Sequence, residues 1–227
     1  GDPNTVNEWI LNRGIFGDIL SRSQFYTYSF LKDGVNIDLA LARKEVYDSP
    51  GVLPTVEPAT IEEDLPRRDF LINAMAISLN SETFGNLIDP LGGRLDLNNQ
   101  VIRVLHPNSF IEDPTRIFRA VRYSVRLGFS IEDDTFDQIR EGLKYINEVS
   151  GDRIREELDK VFQENDVLVM LKVLQDCGVF QLIHHSFGLG NIIFDNIDET
   201  RLAIQKSENQ LFFLAILVFS CTEDDIK

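Results

Sequence analysis

The chain has 227 residues, 43% of them hydrophobic and 26% charged, a balance that excludes disordered, collagen-like and fibrous readings. A chain of this length buries about 70% of its unfolded surface and needs no staples to fold. Lys and Arg total 22 against 37 Asp and Glu, a formal net charge of −15, so any contact with nucleic acid is local and not made by a general basic coat.

The chain opens at Gly1-Asp2-Pro3 without an initiator Met, which suggests a piece of something longer. Pro3 at a first helical position, Val6, Trp9, Ile10 and Arg13 on one face and Gly14 behind them predict a short amphipathic helix. Two alternating runs, Gln24 to Lys32 and Val35 to Ala42, flank Asp33-Gly34 and predict a tight hairpin. Ser49 to Glu57 reads as a loop among prolines, and Thr60-Ile61-Glu62-Glu63 is a capping box for a following helix. Arg68 to Leu79 is expected to be helical, and Asn86 to Leu105 to return to short extended pieces. From Asp113 onward the period is helical: Asp113 to Leu127, Asp134 to Val149, Gly151 to Glu164, Val167 to Cys177, and again to the C-terminus.

Cys177 and Cys221 stand far apart without a CxxC or Cys/His cluster, and are expected to be reduced core residues. Nothing resembles a signal peptide, and the longest apolar run, Leu211 to Ser220, is too short to span a bilayer. A cytoplasmic address and no membrane partner are expected.

Three features carry chemistry. On the second hairpin strand Asp38 shares a face with Asn36, Ala40 and Ala42, small neighbours that leave a carboxylate open to a divalent cation beside a phosphate. The alternative is a solvent-facing strand Asp. On the expected helix from Arg68, Asp69 and Asn73 form a polar stripe four residues apart, and an Asn there serves either a ligand or a structural hydrogen bond. In the helix opened by Glu112-Asp113-Pro114-Thr115-Arg116, residues Arg116, Arg119, Arg122 and Arg126 fall on one face, where like charges repel. An anionic partner compensates them, or acidic residues of the same chain do.

Successive segments resemble the motifs of the class II tRNA nucleotidyltransferase (CCA-adding enzyme) and bacterial poly(A) polymerase family. They are Val35-Asn36-Ile37-Asp38 with Ala42-Arg43-Lys44-Glu45, then Glu62 through Ala76 with Arg67-Arg68-Asp69 and Asn73 at its centre. Asp89-Pro90-Leu91-Gly92-Gly93, Glu112 through Arg116, and Gly151-Asp152-Arg153-Ile154 complete the ordered set. The resemblance covers Gly1 to about Glu164 and fades after Val167.

It implies an α+β fold: a polymerase-β-like nucleotidyltransferase head at residues 1–108, an all-helical neck at 109–165 that reads the nucleotide, and the start of a helical body at 166–227. It implies that Asp38 is the third of three catalytic carboxylates binding two Mg2+ ions. The other two, an Asp-x-Asp pair, would lie upstream of Gly1, so the chain is expected to be a fragment or an inactive form. By resemblance Asp113 and Arg116 read the base, while Arg68, Asp69, Asn73 and Arg119 contact the nucleoside triphosphate. Arg122 extends the same stripe, and Arg153 and Arg155 meet the tRNA acceptor end. Tyr47 to Glu57 corresponds to a flexible loop. The function implied is addition of CMP, AMP or both, from CTP and ATP, to a tRNA 3′ end; the alternative is a catalytically dead nucleotide- or RNA-binding module. The adjacent His184 and His185 point to different faces, have no second His/Asp cluster, and are expected to be a helix-end or loop pair.

Overall fold

The structure is a computed structural model that describes residues 18–23, 25, 27–189 and 209–218. The helix expected after Pro3 and Cys221 lie outside the described residues. The fold is α+β, and the chain divides into two compact units: residues 1–48 with 53–68, and residues 49–52 with 69–227. The expected head at 1–108 thus contributes to both.

In the first unit, β1 (Asp18–Arg22), β2 (Thr27–Lys32) and β3 (Val35–Ala40) form an antiparallel sheet in that order. Asp33 and Gly34, with φ of 51° and 78°, make the predicted two-residue turn and set Lys32 opposite Val35. Both central residues have positive φ, as the strand twist demands of so short a loop. Tyr28 and Phe30 bury themselves on one face against Leu39, and Asp38 is exposed, opposite Ser29. A second hairpin pairs β4 (Arg43–Val46) with β5 (Thr55–Pro58). The expected loop from Ser49 to Glu57 is therefore shorter: its last residues are strand, because Thr55 and Val56 continue a ladder with Val46 and Glu45. The capping box forms, with Glu63 Oε2 accepting from Thr60 N at 2.9 Å. It opens α1 (Ile61–Asp64), which tightens into a 3-10 turn at Leu65–Arg67.

In the second unit, the helix expected over Arg68 to Leu79 is absent. Phe70 is fully buried and extended, at φ −131° and ψ 151°. It bridges Val104, while Leu71 N donates to Arg103 O at 2.9 Å. Seating the Phe70 ring in the core against strand-like neighbours outweighs a weak helical period that Asp69 and Asn73 already disfavour. A 3-10 turn, Leu71–Asn73, and a ribbon of β6 (Ala76–Ile77) and β7 (Leu87–Ile88) replace it. The extended reading of Asn86 to Leu105 is corrected in part: α2 (Gly93–Asn99) lies between β7 and β8 (Val101–Ile102). Asp89 caps it, its two oxygens accepting from Gly93 N and Arg94 N.

The helices that follow match the expected order. They are α3 (Ser109–Glu112), α4 (Arg116–Leu127), α5 (Asp133–Gly142) with a 3-10 extension over Leu143–Glu148, α6 (Gly151–Phe162), α7 (Val167–Asp176), α8 (Val179–Ile183) and α9 (Asn209–Val218). Between α4 and α5, β9 (Ser130–Ile131) pairs in parallel with β8. Phe70, Phe110, Ile117, Phe118, Val161 and Leu171 share one core. His184 ends α8, with the His185 ring 4.4 Å away. No helix among the described residues is long and apolar enough to cross a membrane.

The tightest approach in this core tests the packing. A Cβ at Gly142 would lie 2.4 Å from Phe110 Cβ, and neither backbone can retreat without opening the contact between α3 and α5. Gly142→Ala is expected to destabilise the protein by about 1–3 kcal/mol through overpacking, measured by urea denaturation followed by circular dichroism. Gly151→Ala, where a Cβ meets open space, serves as the control.

Candidate nucleotide-reading site

Asp113 sits between α3 and α4, and its carboxylate is used unequally. Oδ1 accepts from Thr115 N at 3.1 Å, Thr115 Oγ1 at 2.6 Å and Arg153 Nη2 at 2.8 Å. Oδ2 accepts no hydrogen bond among the described residues, although the side chain is only 17% exposed. The carboxylate is therefore fixed through one oxygen and presents the other.

Arg116 does not lie alongside Asp113 as the three-residue spacing suggests. Its guanidinium is buried, and Nη1 donates to Ser109 Oγ at 2.5 Å. The partner of Asp113 is Arg153, which reaches it from α6 and also donates through Nη1 to Gly51 O at 2.7 Å. Gly51 in turn donates its N–H to Glu112 O at 3.2 Å, and a Cβ there would lie 2.8 Å from the Glu148 carbonyl carbon. The short 49–52 segment is thus seated against the helices that hold Asp113. Arg153, expected at the RNA, is committed on two arms within the chain. Arg155 stays at the surface: its side chain is 77% exposed and approaches Asp159 at 3.8 Å.

Asp69 and Asn73 come together despite the missing helix, because the 3-10 turn at Leu71–Asn73 folds Asn73 back towards Asp69, which precedes it. Asn73 Nδ2 and Phe70 N both donate to Asp69 Oδ1, at 3.0 and 2.9 Å. Asp69 Oδ2 takes Arg119 Nε at 2.7 Å and Nη2 at 2.5 Å. Burial works against the Arg119 charge, but the Asp69 carboxylate, Tyr123 and Glu157 outweigh it and hold its pKa above the ordinary arginine value. Arg119 Nη1 makes no hydrogen bond among the described residues, an open donor beside a neutralised pair.

The repulsion expected along the arginine face is relieved within the chain. Arg122 and Arg126 approach Glu164 at 3.6 and 3.4 Å. The Tyr123 ring, invisible to a search for charges, lies within 5.4 Å of the Arg119, Arg122 and Arg126 guanidinium carbons. Its spacing of four from Arg119 and three from Arg126 is the signal that would have found it.

Asp38 and Arg68 belong to the other unit. Asp38 Oδ1 accepts from Ser29 Oγ across the hairpin at 2.6 Å. No group of three or more His, Cys, Asp and Glu able to hold a metal ion occurs among the described residues, so those residues do not make up a two-magnesium site. Arg68 donates through Nε and Nη2 to Asp64 Oδ2, at 2.9 and 2.6 Å. Asp64 is the hub that a search for site residues missed. It is 1% exposed, and its Oδ1 accepts from Arg43 N and from Arg67 Nε and Nη2.

Comparison with known proteins places this arrangement. A poly A polymerase head domain model matches residues 1–103, and a model described as the probable RNA and SrmB-binding site of polymerase A matches residues 128–187. An A-adding tRNA nucleotidyltransferase of Geobacter sulfurreducens is 38% identical over 207 residues, 90% of this chain and 23% of that protein. One from Halalkalibacterium halodurans is 36% identical over 220 residues, 93% of this chain and 50% of that protein. The structure superimposes on a CCA-adding enzyme in its apo form with a TM-score of 0.84 at 34% identity, covering 100% of this chain and 55% of the other. The chain belongs to the class II tRNA nucleotidyltransferase and poly(A) polymerase family. It spans half or less of the length of these curated relatives.

In this chain, Asp64 gives a pH signature. Burial pushes its carboxyl up, but the Arg43 amide and the Arg67 and Arg68 guanidinium groups more than offset this and hold its pKa below the ordinary carboxylate range. A depressed folded-state pKa contributes stability that is present above the unfolded value, about 3.9. That stability is lost as pH falls through the folded one. Asp64→Asn is expected to be less stable than the parent at pH 7 and to lose less stability between about pH 5 and pH 2, measured by urea midpoints across that range.

Proposed function

We propose that the chain forms the nucleotide-reading part of an enzyme that adds nucleotides, AMP above all, from nucleoside triphosphates to a tRNA 3′ end without a nucleic-acid template. The observation that carries this is the Asp113 carboxylate, held by Thr115 and Arg153 on one oxygen and open on the other. Adenine and cytosine each present an exocyclic amino donor beside a ring-nitrogen acceptor. A carboxylate oxygen takes the first, and a guanidinium donor supplies the second, from Arg116 once a bound base draws it away from Ser109. Guanine and uracil present a carbonyl beside a ring N–H on that edge. They would set acceptor against acceptor and donor against donor, at about 1–3 kcal/mol for each unpaired buried group.

The triphosphate takes the open Nη1 of Arg119, and Asp69 and Asn73 keep that arginine in place. Arg122 extends the positive face along α4, while Arg68, assigned to the nucleotide by resemblance, is bound to Asp64 in its own unit. Arg155 meets a phosphate of the tRNA acceptor end. Solved relatives include a CCA-adding enzyme in complex with ATP, at a TM-score of 0.79 and 32% identity. They also include a Thermotoga maritima enzyme in complex with tRNA, at 0.78 and 32%. Both curated relatives compared above are named A-adding, which favours AMP as the product.

Asp38 supplies one carboxylate for the catalytic magnesium ions that the family resemblance implies. Among the described residues it belongs to no group of three or more His, Cys, Asp and Glu, so the remaining ligands would have to come from elsewhere. The work of the residues in hand is to select the base and hold the phosphates, which orients a nucleotide before transfer.

The test is kcat/KM for ATP, CTP, GTP and UTP with the full-length protein, on tRNA lacking zero, one, two or three terminal nucleotides. The expected substrate is tRNA lacking its terminal A. Asp113→Ala should lower kcat/KM for ATP by about tenfold or more and narrow its advantage over GTP and UTP. Arg119→Ala should weaken all four triphosphates alike. Unchanged ratios in Asp113→Ala would return Asp113 to a structural ion pair. Binding of nucleotide without incorporation by the full-length protein would assign it to the binding-module class.

A further inference from the structure

We propose that Tyr123 is a positioning residue for the arginine face of α4: its hydroxyl holds the Arg119 guanidinium, and its ring is the common contact of Arg119, Arg122 and Arg126. This rests on the phosphate-holding role assigned to Arg119 above and identifies what keeps that arginine in its binding geometry.

Tyr123 lies one turn beyond Arg119 on α4, and Arg119 Nη2 donates to its hydroxyl at 3.2 Å. The same Nη2 donates to Asp69 Oδ2, so the guanidinium plane is pinned at two acceptors on different segments and Nη1 is left pointing at neither. Three guanidinium carbons gather around the ring, at 5.4 Å for Arg119, 5.4 Å for Arg122 and 4.8 Å for Arg126. Distances below about 6 Å place a cation in the attractive field of an aromatic quadrupole.

Carboxylates alone do not explain how this face stays assembled. Glu164 stands 3.6 Å from Arg122 Nε and 3.4 Å from Arg126 Nη1. Arg122 Nε is buried and has no hydrogen-bond partner among the described residues. Among the described residues, the ring is the group in contact with all three cations. Phe70, fully buried, packs edge-on against it at 5.9 Å, so the tyrosine is fixed from the core side. An uncharged aromatic suits this position because it attracts the arginines without spending their charge. A further carboxylate there would neutralise the face that an incoming phosphate must meet.

The geometry separates two contributions. Tyr123→Phe keeps the ring and removes only the hydroxyl, whereas Tyr123→Leu removes both. Using the full-length protein, isothermal titration calorimetry gives the dissociation constants for ATP and adenosine, and NMR gives the rate of rotation of the Arg119 guanidinium in the free protein. Tyr123→Phe is expected to weaken ATP by about threefold to tenfold, the scale of one ordinary hydrogen bond. It should leave adenosine binding and the thermal midpoint nearly unchanged and speed the Arg119 rotation. Tyr123→Leu is expected to weaken ATP by about tenfold or more.

A merely structural tyrosine would weaken ATP and adenosine together, in step with the thermal midpoint, and that outcome overturns the proposal. So does parental ATP affinity in both variants while Arg119→Ala binds ATP poorly. If Arg119→Ala itself binds ATP as the parent does, the role given to Arg119 falls. The rotation rate then decides for Tyr123, and an unchanged rate in Tyr123→Leu overturns its positioning role as well.

Discussion

The ion pair between Asp69 and Arg119 is the constraint on which the second unit's candidate site depends. It joins a 3-10 turn to the middle of α4 across 50 residues of sequence, with two contacts from the guanidinium to a single carboxylate oxygen. Both partners are largely withdrawn from water, where breaking such a pair leaves an uncompensated charge and costs more than the pair contributes. The other Asp69 oxygen is occupied by Phe70 N and Asn73. The turn that seats Phe70 in the core is thus the same turn that aims Arg119, and packing and binding geometry are set by one local structure.

The same economy appears around Asp113. One oxygen carries every structural contact, from Thr115 and from Arg153, and the other is left to present. Arg153 reaches Asp113 and Gly51 O together, so the 49–52 segment and the carboxylate share a single anchor. A carboxylate that swung freely would lose orientation entropy on meeting a base; one held on a single edge has already lost it.

Electrostatics reconcile the −15 charge with a row of arginines on one face of α4. Acidic side chains neutralise arginines where the fold needs it, as Asp64 does for Arg67 and Arg68 and Glu164 for Arg122 and Arg126. At Arg119 the Asp69 carboxylate uses Nε and Nη2, and the Tyr123 ring packs beside the guanidinium without adding a further negative charge. On α6 Arg155 is exposed, with Asp159 one turn on at 3.8 Å.

Local chemistry by itself determined the Asp33-Gly34 hairpin, the Thr60 to Glu63 capping box, the order of helices after Asp113 and the grouping of arginines on one face of α4. Each depends on residues within a turn or two of one another, where spacing and backbone preference decide. Ordered motifs also placed the chain in its family. Only the tertiary structure decided that Arg68 to Leu79 is not a helix, because the burial of Phe70 against Val104 is a contact 34 residues away that no local period reports. The replacement of Arg116 by Arg153 as the partner of Asp113 was equally hidden: the helix start favours a neighbour three residues on, yet the buried Ser109 hydroxyl captures Arg116 and leaves the carboxylate to an arginine 40 residues later. Residue types and their intervals name the groups available for chemistry; which donor meets which acceptor is settled by long-range packing, where desolvation penalises every alternative that leaves a charge unpaired.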